Sequence, residues 1–299
     1  MSLVVVGSIA LDTIHTPHGK REKVLGGSCV YFALAASFFT KPKIVGIVGE
    51  DFPNQYLELL KERKIDLEGL KIASGKTFFW EGKYDENPDF RETIKIELNV
   101  FSQFSPVLPE KYKESDFVFL ANIDPDLQFN VLNQIRKPKL VALDSMNWWI
   151  EHKLDSLLKV IKKIDILFVN EEEAKMLTQR ANIIKAGKEL IKLGPSLIIL
   201  KKGTHGALIF EKDHIFVFPA HPVEDVMDPT GAGDTFAGGF MGFLDKKGKV
   251  NLSLICKALI YGSVLASFVV EDFSVNKLLI LTHKEIKKRF KEFKKLISY

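Results

Sequence analysis

Residues 228–240 read DPTGAGDTFAGGF, and this stretch decides how the chain is interpreted. Gly231 and Gly233 allow a tight turn whose backbone N–H groups point in one direction. The residues that follow have the small and apolar spacing of a buried helix. Because the first turn of a helix carries unpaired N–H groups and the positive end of the helix dipole, this stretch predicts a site for an anion.

Asp234 lies in the first turn of this predicted helix. A carboxylate there can accept the proton of a substrate hydroxyl, while the amides of residues 231–234 stabilise negative charge that develops on a transferred phosphoryl group. On these residues alone, a plain helix cap with an N-terminal aspartate is the alternative. The stretch is not a Walker A loop, because no GK[ST] follows, and it is not a dinucleotide fingerprint, because it does not follow the first strand.

On either side of this stretch, short apolar runs rich in β-branched residues alternate with amphipathic segments. Strands are predicted at Leu3–Val6, 43–48, Phe117–Leu120, 140–143, 166–169 and Leu197–Lys201. Helices are predicted at 28–39, 54–63, 126–134, 155–161 and 181–193, with an amphipathic helix in the sequence KEIKKRFKEFKKLISY at the C-terminus. This alternation predicts βαβ units, and therefore a mainly parallel central sheet with helices on both faces.

Two stretches interrupt the alternation, at residues 12–25 and 76–100. Their patterns, the second with a turn at the sequence NPD, predict β-ribbons that form a small lid over the edge of the sheet. The apolar side of the lid, with Phe79 or Trp80, must be covered by a ligand, by the main domain or by a second copy of the chain. We therefore expect a single α/β domain over residues 1–299, with a homodimer through the lid as the expected assembly.

Composition narrows the function classes. The 299 residues include 42 basic and 38 acidic side chains mixed along the chain, for a formal net charge of +4, which argues against a nucleic-acid groove. Only two cysteines occur, so neither a disulfide scaffold nor a Cys-based zinc site is expected. The first apolar run has no basic leader and no stretch is judged long enough to cross a membrane, so we expect a cytoplasmic protein without a membrane partner.

The whole of DPTGAGDTFAGGF resembles the second signature of the ribokinase-like carbohydrate kinases, the PfkB family. Near the N-terminus, GSIALD at residues 7–12 and the GG pair at residues 26–27 resemble the segments of the family that bind the substrate. Further along, NEEE at residues 170–173 resembles the NxxE motif and KKGTHG at residues 201–206 resembles the KxGxxG motif. The resemblance covers nearly the whole chain and implies a ribokinase-like three-layer sandwich. It also implies ATP-dependent transfer of the γ-phosphoryl group to a hydroxyl.

The resemblance assigns a role to each motif. Catalysis is assigned to the predicted base and the anion-binding turn: Asp234, Gly231, Ala232 and Gly233. Nucleotide binding is assigned to Asn170, Lys201, Gly203 and Gly206. Binding of Mg²⁺, through water, is assigned to Glu173. Binding of the acceptor is assigned to Asp12, Gly26, Gly27, Ser28 and Asn147. Asp12 is expected at the C-terminal end of the first strand, where α/β folds bind ligands, and its carboxylate can accept hydrogen bonds from two hydroxyls. Ser28 either caps a helix or contacts the acceptor.

The acceptor is expected to be a small neutral sugar, such as ribose or fructose, because no arginine is evident for an anionic group. A nucleoside whose base stacks on Phe79 or Trp80 is the alternative on the same fold. A sugar- or nucleotide-sensing protein without catalytic activity is the alternative of another class. A dehydrogenase is disfavoured, because the first strand lacks a GxGxxG turn.

The nucleotide site leaves two questions open. The adenine pocket is expected between the turn at Gly203 and the helix at residues 258–267, but this helix lacks the asparagine that many relatives carry, so the base contacts are not assigned. The resemblance also leaves open whether potassium is a further cofactor beside ATP and Mg²⁺. Residues 228–230 and the loop at residues 271–274 occupy the corresponding places.

Overall fold

The computed structural model describes residues 1–212 and 214–298. The strands in this part of the chain are β1 Leu3–Val6, β2 Ala10–Thr16, β3 Gly19–Gly26, β4 Lys43–Gly49, β5 Asp66–Ala73, β6 Phe78–Tyr84, β7 Arg91–Glu97, β8 Phe117–Leu120, β9 Leu140–Asp144, β10 Ile166–Asn170, β11 Leu197–Lys201, β12 Ala207–Glu211 and β13 His214–Phe218. The α-helices are α1 Ser28–Ala36, α2 Asn54–Glu62, α3 Glu110–Lys113, α4 Pro125–Gln134, α5 Asn147–His152, α6 Leu154–Ile161, α7 Glu171–Thr178, α8 Ile183–Lys192, α9 Ala232–Lys247, α10 Leu252–Val269, α11 Asn276–Ile280 and α12 His283–Leu296.

Nine strands form one large sheet in the order β13-β12-β11-β10-β9-β8-β1-β4-β5. From β11 to β5 the neighbouring strands pair in parallel, and β12 and β13 are antiparallel. The central strands are almost entirely apolar and buried, as in LVVV of β1 and FVFL of β8, because helices cover both faces of the sheet. The predicted α/β sandwich with a mainly parallel sheet is confirmed, and the six predicted strands all belong to this sheet.

The core divides into two layers, one on each face of the sheet. Helices α1, α9, α10 and α12 bury their apolar side chains on one face, where Phe32 of α1 stacks on Phe119 of β8 with ring centroids 4.3 Å apart. Helices α4, α6, α7 and α8 cover the other face. Strands β5, β12 and β13 were not predicted. Strands β5 and β13 are the two edge strands and are too polar or too exposed to give a continuous buried run. Strand β12 is short but apolar and buried, so its run ALIFE was overlooked.

Helix α10 corrects one expectation from the sequence. Its 18 residues, Leu252–Val269, have a mean hydropathy of 1.9 and are long and apolar enough to cross a membrane by length and composition, contrary to the prediction that no stretch is. Within the fold, 61% of this stretch is buried against the core. Its composition is therefore accounted for by its place between the sheet and α12.

The second sheet is the lid, in the order β3-β2-β6-β7. Each ribbon is an antiparallel pair, β2 with β3 and β6 with β7, at the positions predicted from the sequence. The two ribbons are joined by parallel pairing of β2 with β6, with Asp12 opposite Trp80. This long-range pairing brings the first predicted ribbon beside the second, and it decides which lid residues share a face.

Candidate active site

Three neighbouring parallel strands end in polar residues at one edge of the large sheet. Strand β9 ends at Asp144, β10 at Asn170 and β11 at Lys201. The crevice outside the carboxyl ends of parallel strands is where α/β sheets bind their ligands. We call these three residues, together with Glu173 in the first turn of α7, the strand-end cluster.

Asn170 and Glu173 bind each other at the start of α7. Asn170 Oδ1 accepts the amide of Glu173 at 2.8 Å, and Glu173 Oε2 accepts the amide of Asn170 at 2.8 Å, which is a capping box. Within residues 1–212 and 214–298, the Asn170 side-chain nitrogen and the second Glu173 oxygen form no hydrogen bond. Both remain available to a ligand beside the strand ends.

Lys201 forms an ion pair with Asp144. Its Nζ lies 3.0 and 2.8 Å from the two carboxylate oxygens, so a buried acid holds the side chain that is expected to bind phosphates. The same ammonium lies 3.5 Å from the point where a side chain at Gly233 would begin, and hence at the N-terminus of α9. Burial raises the pKa of Glu173 to about 7, the nearby charge of Lys201 lowers it, and Asp144 raises it further.

Gly231 makes the turn that leads into α9. Its φ of +73° lies in the left-handed region, and any side chain there would overlap the ring of Tyr31. Asp228 stabilises the conformation of this turn, because its Oδ1 accepts a hydrogen bond from the amide of Thr230 at 2.8 Å. Glycine is therefore required at residue 231 both by the backbone conformation and by space.

The predicted anion-binding amides differ in how they are engaged. The amide of Ala232 donates to the carbonyl of Pro229 at 3.2 Å, so it is already paired, which was not expected. The amide of Asp234 faces its own carboxyl, as a backbone hydrogen bond to that group shows. In the described part of the chain, no backbone hydrogen bond uses the amides of Gly231 or Gly233, so these two are free at a helix N-terminus, which is the arrangement that stabilises an anion.

Asp234 lies in the first turn of α9, as predicted, and is half-buried. Burial raises the pKa of its carboxyl to about 7, and Asp144 raises it further, while Lys201 and Arg91 act in the opposite direction. A carboxylate with this pKa is suited to accept a proton at neutral pH and to hold it during a reaction.

Asp12 occupies a different strand from the one expected. The first strand ends at Val6, and Asp12 lies inside β2, the central lid strand, because the chain leaves the large sheet after β1. Its buried carboxyl packs directly on Gly26, where a side chain would overlap it. Burial and the nearby charge of Asp228 raise its pKa to about 8, and a hydrogen bond from the backbone of Gly27 lowers it.

Ser28 does not cap helix α1, which is one of the two roles expected of it, and its contact with the acceptor remains a prediction. Helix α1 is preceded by Gly27 and has no side-chain cap. Instead, Ser28 and Ser8 bind each other: each amide donates to the other hydroxyl, at 3.1 and 3.2 Å, and the two hydroxyls lie 3.1 Å apart. This reciprocal bonding fixes the start of α1 beside the segment that leads to Asp12.

One side of the lid sheet carries a set of residues that the sequence does not place together. Asp12 pairs with Trp80 across β2 and β6, and Tyr84 pairs with Arg91 across β6 and β7, so these side chains share one side. The indole of Trp80 lies over Gly82, and its Nε1 donates to Thr93 Oγ1 at 3.3 Å. We call Asp12, Trp80, Tyr84 and Arg91 the lid face.

The lid face contacts the turn before α9 directly. Thr230 Oγ1 donates to the hydroxyl of Tyr84 at 3.2 Å. Asp89, at the tip of the lid, packs on Gly203, whose φ is +53°. The lid therefore extends from Asp12 in β2 to the turn at Gly203, which follows Lys201 of the strand-end cluster.

A cavity of about 400 Å³ lies beside the strand-end cluster. The turn residues Gly203 and Gly206 line it, as do Gly233 and Lys201. The opposite wall comes from α10 and the segment before α9, and its residues include Val223, Val226, Ser263, Ala266, Ser267 and Val270. The structure thus brings together the turn and the helix expected to enclose an adenine, with walls that are mainly apolar.

Among residues 1–212 and 214–298, no hydrogen bond connects Asn147 to the strand-end cluster or to the lid face. It begins α5, and its Oδ1 accepts the amide of the next residue at 3.0 Å. Its assignment to the acceptor site remains a prediction. In the same segment, Asp144 is the residue with a clear structural partner.

Two segments expected to hold a monovalent cation are joined by Asp228. Its Oδ2 accepts the amide of Ser274 at 2.8 Å, and the amide of Met227 donates to the carbonyl of Val270 at 2.8 Å. The fold therefore places residues 228–230 next to the loop at residues 271–274. Potassium binding there remains a prediction.

The residues also fit a magnesium ion that is held largely by phosphates. The described chain contains no group of three or more His, Cys, Asp or Glu side chains that could hold a metal by themselves. Glu173 offers one free carboxylate oxygen beside the strand ends. Magnesium in proteins commonly uses one or two carboxylates together with substrate phosphates and water.

Sequence reasoning missed Arg91, Tyr84 and Asp89, all of which belong to the lid. The signal was present in the alternation of the segment FFWEGKY, which places Trp80 and Tyr84 on one side of a strand. The β-bulge opposite residues 81 and 82, where the register shifts by one residue, could not be read from the pattern. That shift determines which residues of β7 point the same way as Trp80.

Comparisons with known proteins agree with this geometry. The model of the pfkB family carbohydrate kinases matches residues 2–280. A cytidine kinase from Thermococcus kodakarensis is 32% identical over 248 residues, which cover 81% of this chain and 87% of that protein. A nucleoside kinase from Burkholderia thailandensis in complex with inosine superposes with a TM-score of 0.80, at 19% identity and 97% and 98% coverage of the two chains.

Arabidopsis thaliana ribokinase, complexed with ribose and ATP, superposes with a TM-score of 0.78, at 21% identity and again 97% and 98% coverage. At such identities the structural likeness establishes the fold, and the family match over nearly the whole chain establishes the kind of enzyme. The chain therefore belongs to the pfkB family of carbohydrate kinases, which are phosphotransferases with a hydroxyl group as acceptor.

Proposed function

We propose that this protein is a nucleoside kinase, which transfers the γ-phosphoryl group of ATP to a hydroxyl of a nucleoside. The observation that carries the proposal is the position of Trp80, whose indole lies on the same side of the lid sheet as Asp12 and directly beside it in register. An aromatic ring next to a hydroxyl-binding carboxylate suits a ligand that joins a planar base to a sugar. The similarity to a cytidine kinase supports the same class of acceptor.

The sequence favoured a neutral sugar, with a nucleoside as the alternative, and the proposal reverses that preference. Phe79 is the other aromatic residue considered for stacking, but it is adjacent to Trp80 in β6 and points to the opposite side of the lid. A free sugar is too small to cover both Asp12 and the exposed part of the half-buried Trp80 indole. A nucleoside covers both.

Asp12 defines how the acceptor is oriented. A carboxylate can accept hydrogen bonds from two neighbouring hydroxyls, and the 2′- and 3′-hydroxyls of ribose are such a pair. With these two held, the 5′-hydroxyl is the one free to reach Asp234. Asp234 accepts its proton, and the free amides of Gly231 and Gly233 stabilise the charge on the transferred group.

The donor, ATP, would bind to the strand-end cluster and in the cavity beside it. The cavity takes the adenine between Gly203 and α10, and Lys201 beside Gly233 meets the phosphates. Glu173 and Asn170 would hold the hydrated Mg²⁺, which neutralises phosphate charge when it is bound. Positioning and charge stabilisation are then the main contributions of the protein.

A panel of acceptors tests the proposal. Wild-type protein is supplied with ATP and Mg²⁺, and ADP release is measured with cytidine, uridine, adenosine, inosine, guanosine, ribose or fructose. The expected result is turnover with at least one nucleoside, with a kcat/KM well above that of ribose. Turnover with ribose or fructose alone would overturn the proposal in favour of a sugar kinase, and no turnover with any acceptor would favour a protein that only binds sugars or nucleotides.

Three further expectations accompany this function. Potassium is tested by repeating the assay in potassium and in tetramethylammonium salts, where a cation at Asp228 predicts higher turnover in potassium. A homodimer through the lid is tested by light scattering. Cytoplasmic location is tested by fractionation of the source cells.

A further inference from the structure

The tip of the lid reaches the cavity beside the strand-end cluster, which we call the donor cavity. The tip is the turn of residues 85–90 between β6 and β7, and two of its residues, Pro88 and Asp89, line the donor cavity. In the same cavity, Lys201 and Gly203 come from the end of β11 and from the turn after it. The lid therefore encloses part of the site expected for the donor nucleotide, and not only the side where the acceptor is expected.

The conformation of the tip holds Asp89 against the turn at Gly203. Asn87 Oδ1 accepts a hydrogen bond from the amide of Asp89 at 3.1 Å, and the carbonyl of Asn87 accepts one from the amide of Phe90 at 3.1 Å. The carboxylate of Asp89 packs on the backbone of Gly203, where any side chain would overlap it. The φ of Gly203 is +53°, so both the backbone conformation and the close approach of Asp89 favour glycine there.

Among residues 1–212 and 214–298, the carboxylate of Asp89 accepts no hydrogen bond and forms no ion pair. Lys202, which precedes the turn against which Asp89 packs, has its Nζ 4.0 Å from a carboxylate oxygen of Glu171. Asp85, at the other end of the lid tip, differs from Asp89, since its Oδ1 lies 3.3 Å from Lys83 Nζ and it lines a different cavity. Asp89 is therefore available as an acceptor of hydrogen bonds at the edge of the donor cavity.

The three parts of a nucleotide require different groups in the donor cavity. Lys201 and the free amide of Gly233 suit the phosphates, and the mainly apolar wall from α10 suits the base. The carboxylate of Asp89 would repel the phosphates, and it lies on the turn after Lys201 and not on α10. The ribose, which joins the other two parts, carries two neighbouring hydroxyls that a single carboxylate can bind.

We propose that Asp89 is a specificity-determining residue for the donor, and that it accepts hydrogen bonds from the 2′- and 3′-hydroxyls of the nucleotide ribose. The inference rests on the proposed function only in that an adenine nucleotide occupies the donor cavity, and it is independent of which acceptor is phosphorylated. Because Asp89 belongs to the lid, the lid binds the donor as well as covering the acceptor.

The first test measures phosphoryl transfer from ATP, 2′-deoxy-ATP and 3′-deoxy-ATP to the best acceptor of the panel. Each deoxy nucleotide lacks one of the two hydroxyls, so wild type should use it with a kcat/KM about fivefold to tenfold below that of ATP. Asp89→Ala should raise the KM for ATP by about tenfold, keep kcat within about threefold of wild type, and use the three donors with kcat/KM values within about twofold of one another. An Asp89→Ala variant that keeps the wild-type preference for ATP would overturn the proposal.

Two controls separate the ribose from the rest of the nucleotide and of the lid. Asp85→Ala removes an acid from the other end of the lid tip, and it should keep the wild-type preference for ATP over both deoxy nucleotides. ITP differs from ATP only in the base, so Asp89→Ala should keep the wild-type ratio of ATP to ITP. An Asp89→Ala variant that loses the preference for ATP over ITP, and keeps the preference over the deoxy nucleotides, would show that Asp89 contacts the base and would overturn the proposal.

A binding measurement gives a readout that does not depend on turnover. Titration calorimetry measures the affinities of the protein for ADP and for 2′-deoxy-ADP. Wild type should bind ADP about fivefold to tenfold more tightly, and Asp89→Ala should bind the two with equal affinity. Because Asp89 is exposed, the thermal midpoint of Asp89→Ala without nucleotide should equal that of wild type. Equal affinities of wild type for ADP and 2′-deoxy-ADP would overturn the proposal.

The failure of this inference is distinguishable from failure of the proposed function. If wild type binds neither ADP nor ATP, the assigned donor site fails, and the role of Asp89 fails with it. If wild type transfers a phosphoryl group from ATP to a nucleoside but uses the deoxy nucleotides equally well, Asp89 does not bind the ribose, while the nucleoside kinase assignment stands. If wild type phosphorylates a sugar and no nucleoside, the nucleoside assignment fails and the donors are compared with that sugar as acceptor.

Discussion

The strand-end cluster and the lid face are built in opposite ways. In the strand-end cluster, Asn170 and Glu173 are fixed by each other in a capping box, and Lys201 and Asp144 by an ion pair between two strands of the same sheet. On the lid face, Asp12 and Trp80 meet because two ribbons far apart in sequence pair in parallel. The cluster lies on the buried central sheet, whereas the outer lid strand, β7, is largely exposed. The first region can therefore hold a donor shared by a whole family, while the second can change with the acceptor.

The largest effect is expected where the two regions meet, at Asp234. Asp234→Asn should lower kcat by about 100-fold or more, because an amide cannot accept the proton of the acceptor, while ATP affinity stays near that of wild type. Steady-state kinetics and ATP titration measure the two quantities.

Asp155→Asn is the matched control, since Asp155 also lies in the first turn of a helix but is exposed. Its kcat should equal that of wild type. An Asp234→Asn variant with unchanged kcat would show that another group accepts the proton.

The turn that links the two regions is tested by a pair of glycine substitutions. Gly231→Ala should destabilise the protein by about 1–3 kcal/mol, because φ is +73° and the new methyl meets the ring of Tyr31. Gly233→Ala should retain the wild-type stability, since the nearest contact of its methyl is Lys201 Nζ at 3.5 Å. Urea unfolding of both variants measures the difference, and equal stabilities would contradict the assigned turn geometry.

The pH dependence of kcat follows from the raised pKa of Asp234. The base must be ionised, so activity is present above the pKa of about 7 and is lost as the pH falls through it. We expect kcat to fall about tenfold from pH 8 to pH 6. The residual activity of Asp234→Asn should depend less steeply on pH, and the dependence that is left would come from Glu173 and Asp12, whose pKa values are also raised. A wild-type kcat that rises towards pH 6 would contradict the role of Asp234.

The smallest effect is expected on the lid face and concerns only the acceptor. Trp80→Leu should raise the KM for a nucleoside by about fivefold to tenfold through loss of stacking, with the KM for ATP unchanged. Phe79→Leu, on the other side of the same strand, is the control and should change neither constant. Equal effects of both variants would mean that Trp80 acts through lid packing and not through contact with a base.

The same contrast explains what could be predicted from the sequence. In the strand-end cluster, Asn170, Glu173 and Lys201 were singled out from the sequence, because each belongs to a motif in which a strand end is followed by a turn or a helix start, and such signals are local. Asp144 was not singled out. The ion pair between Lys201 and Asp144 was not predicted, since it joins two strands that are not consecutive in the chain. Ala232 was predicted as a free amide donor, and only the structure shows its bond to Pro229.

The lid face could be predicted only in outline. Both ribbons were placed correctly, but neither the parallel pairing of β2 with β6 nor the bulge in β7 leaves a pattern in the sequence. Arg91 therefore went unnoticed, because the side to which it points depends on how β6 pairs with β7. Asp12 belongs to a lid strand and not to the first strand of the large sheet, and its role in binding the acceptor remains a prediction.

The most direct test of the account offers wild-type protein a nucleoside and ribose at equal concentration with limiting ATP and Mg²⁺, and identifies the phosphorylated product by mass spectrometry and ³¹P NMR. Cytidine is the first nucleoside to use, followed by inosine. The account predicts a nucleoside 5′-monophosphate as the main product. Ribose phosphate as the main product, with every nucleoside left unchanged, would contradict it.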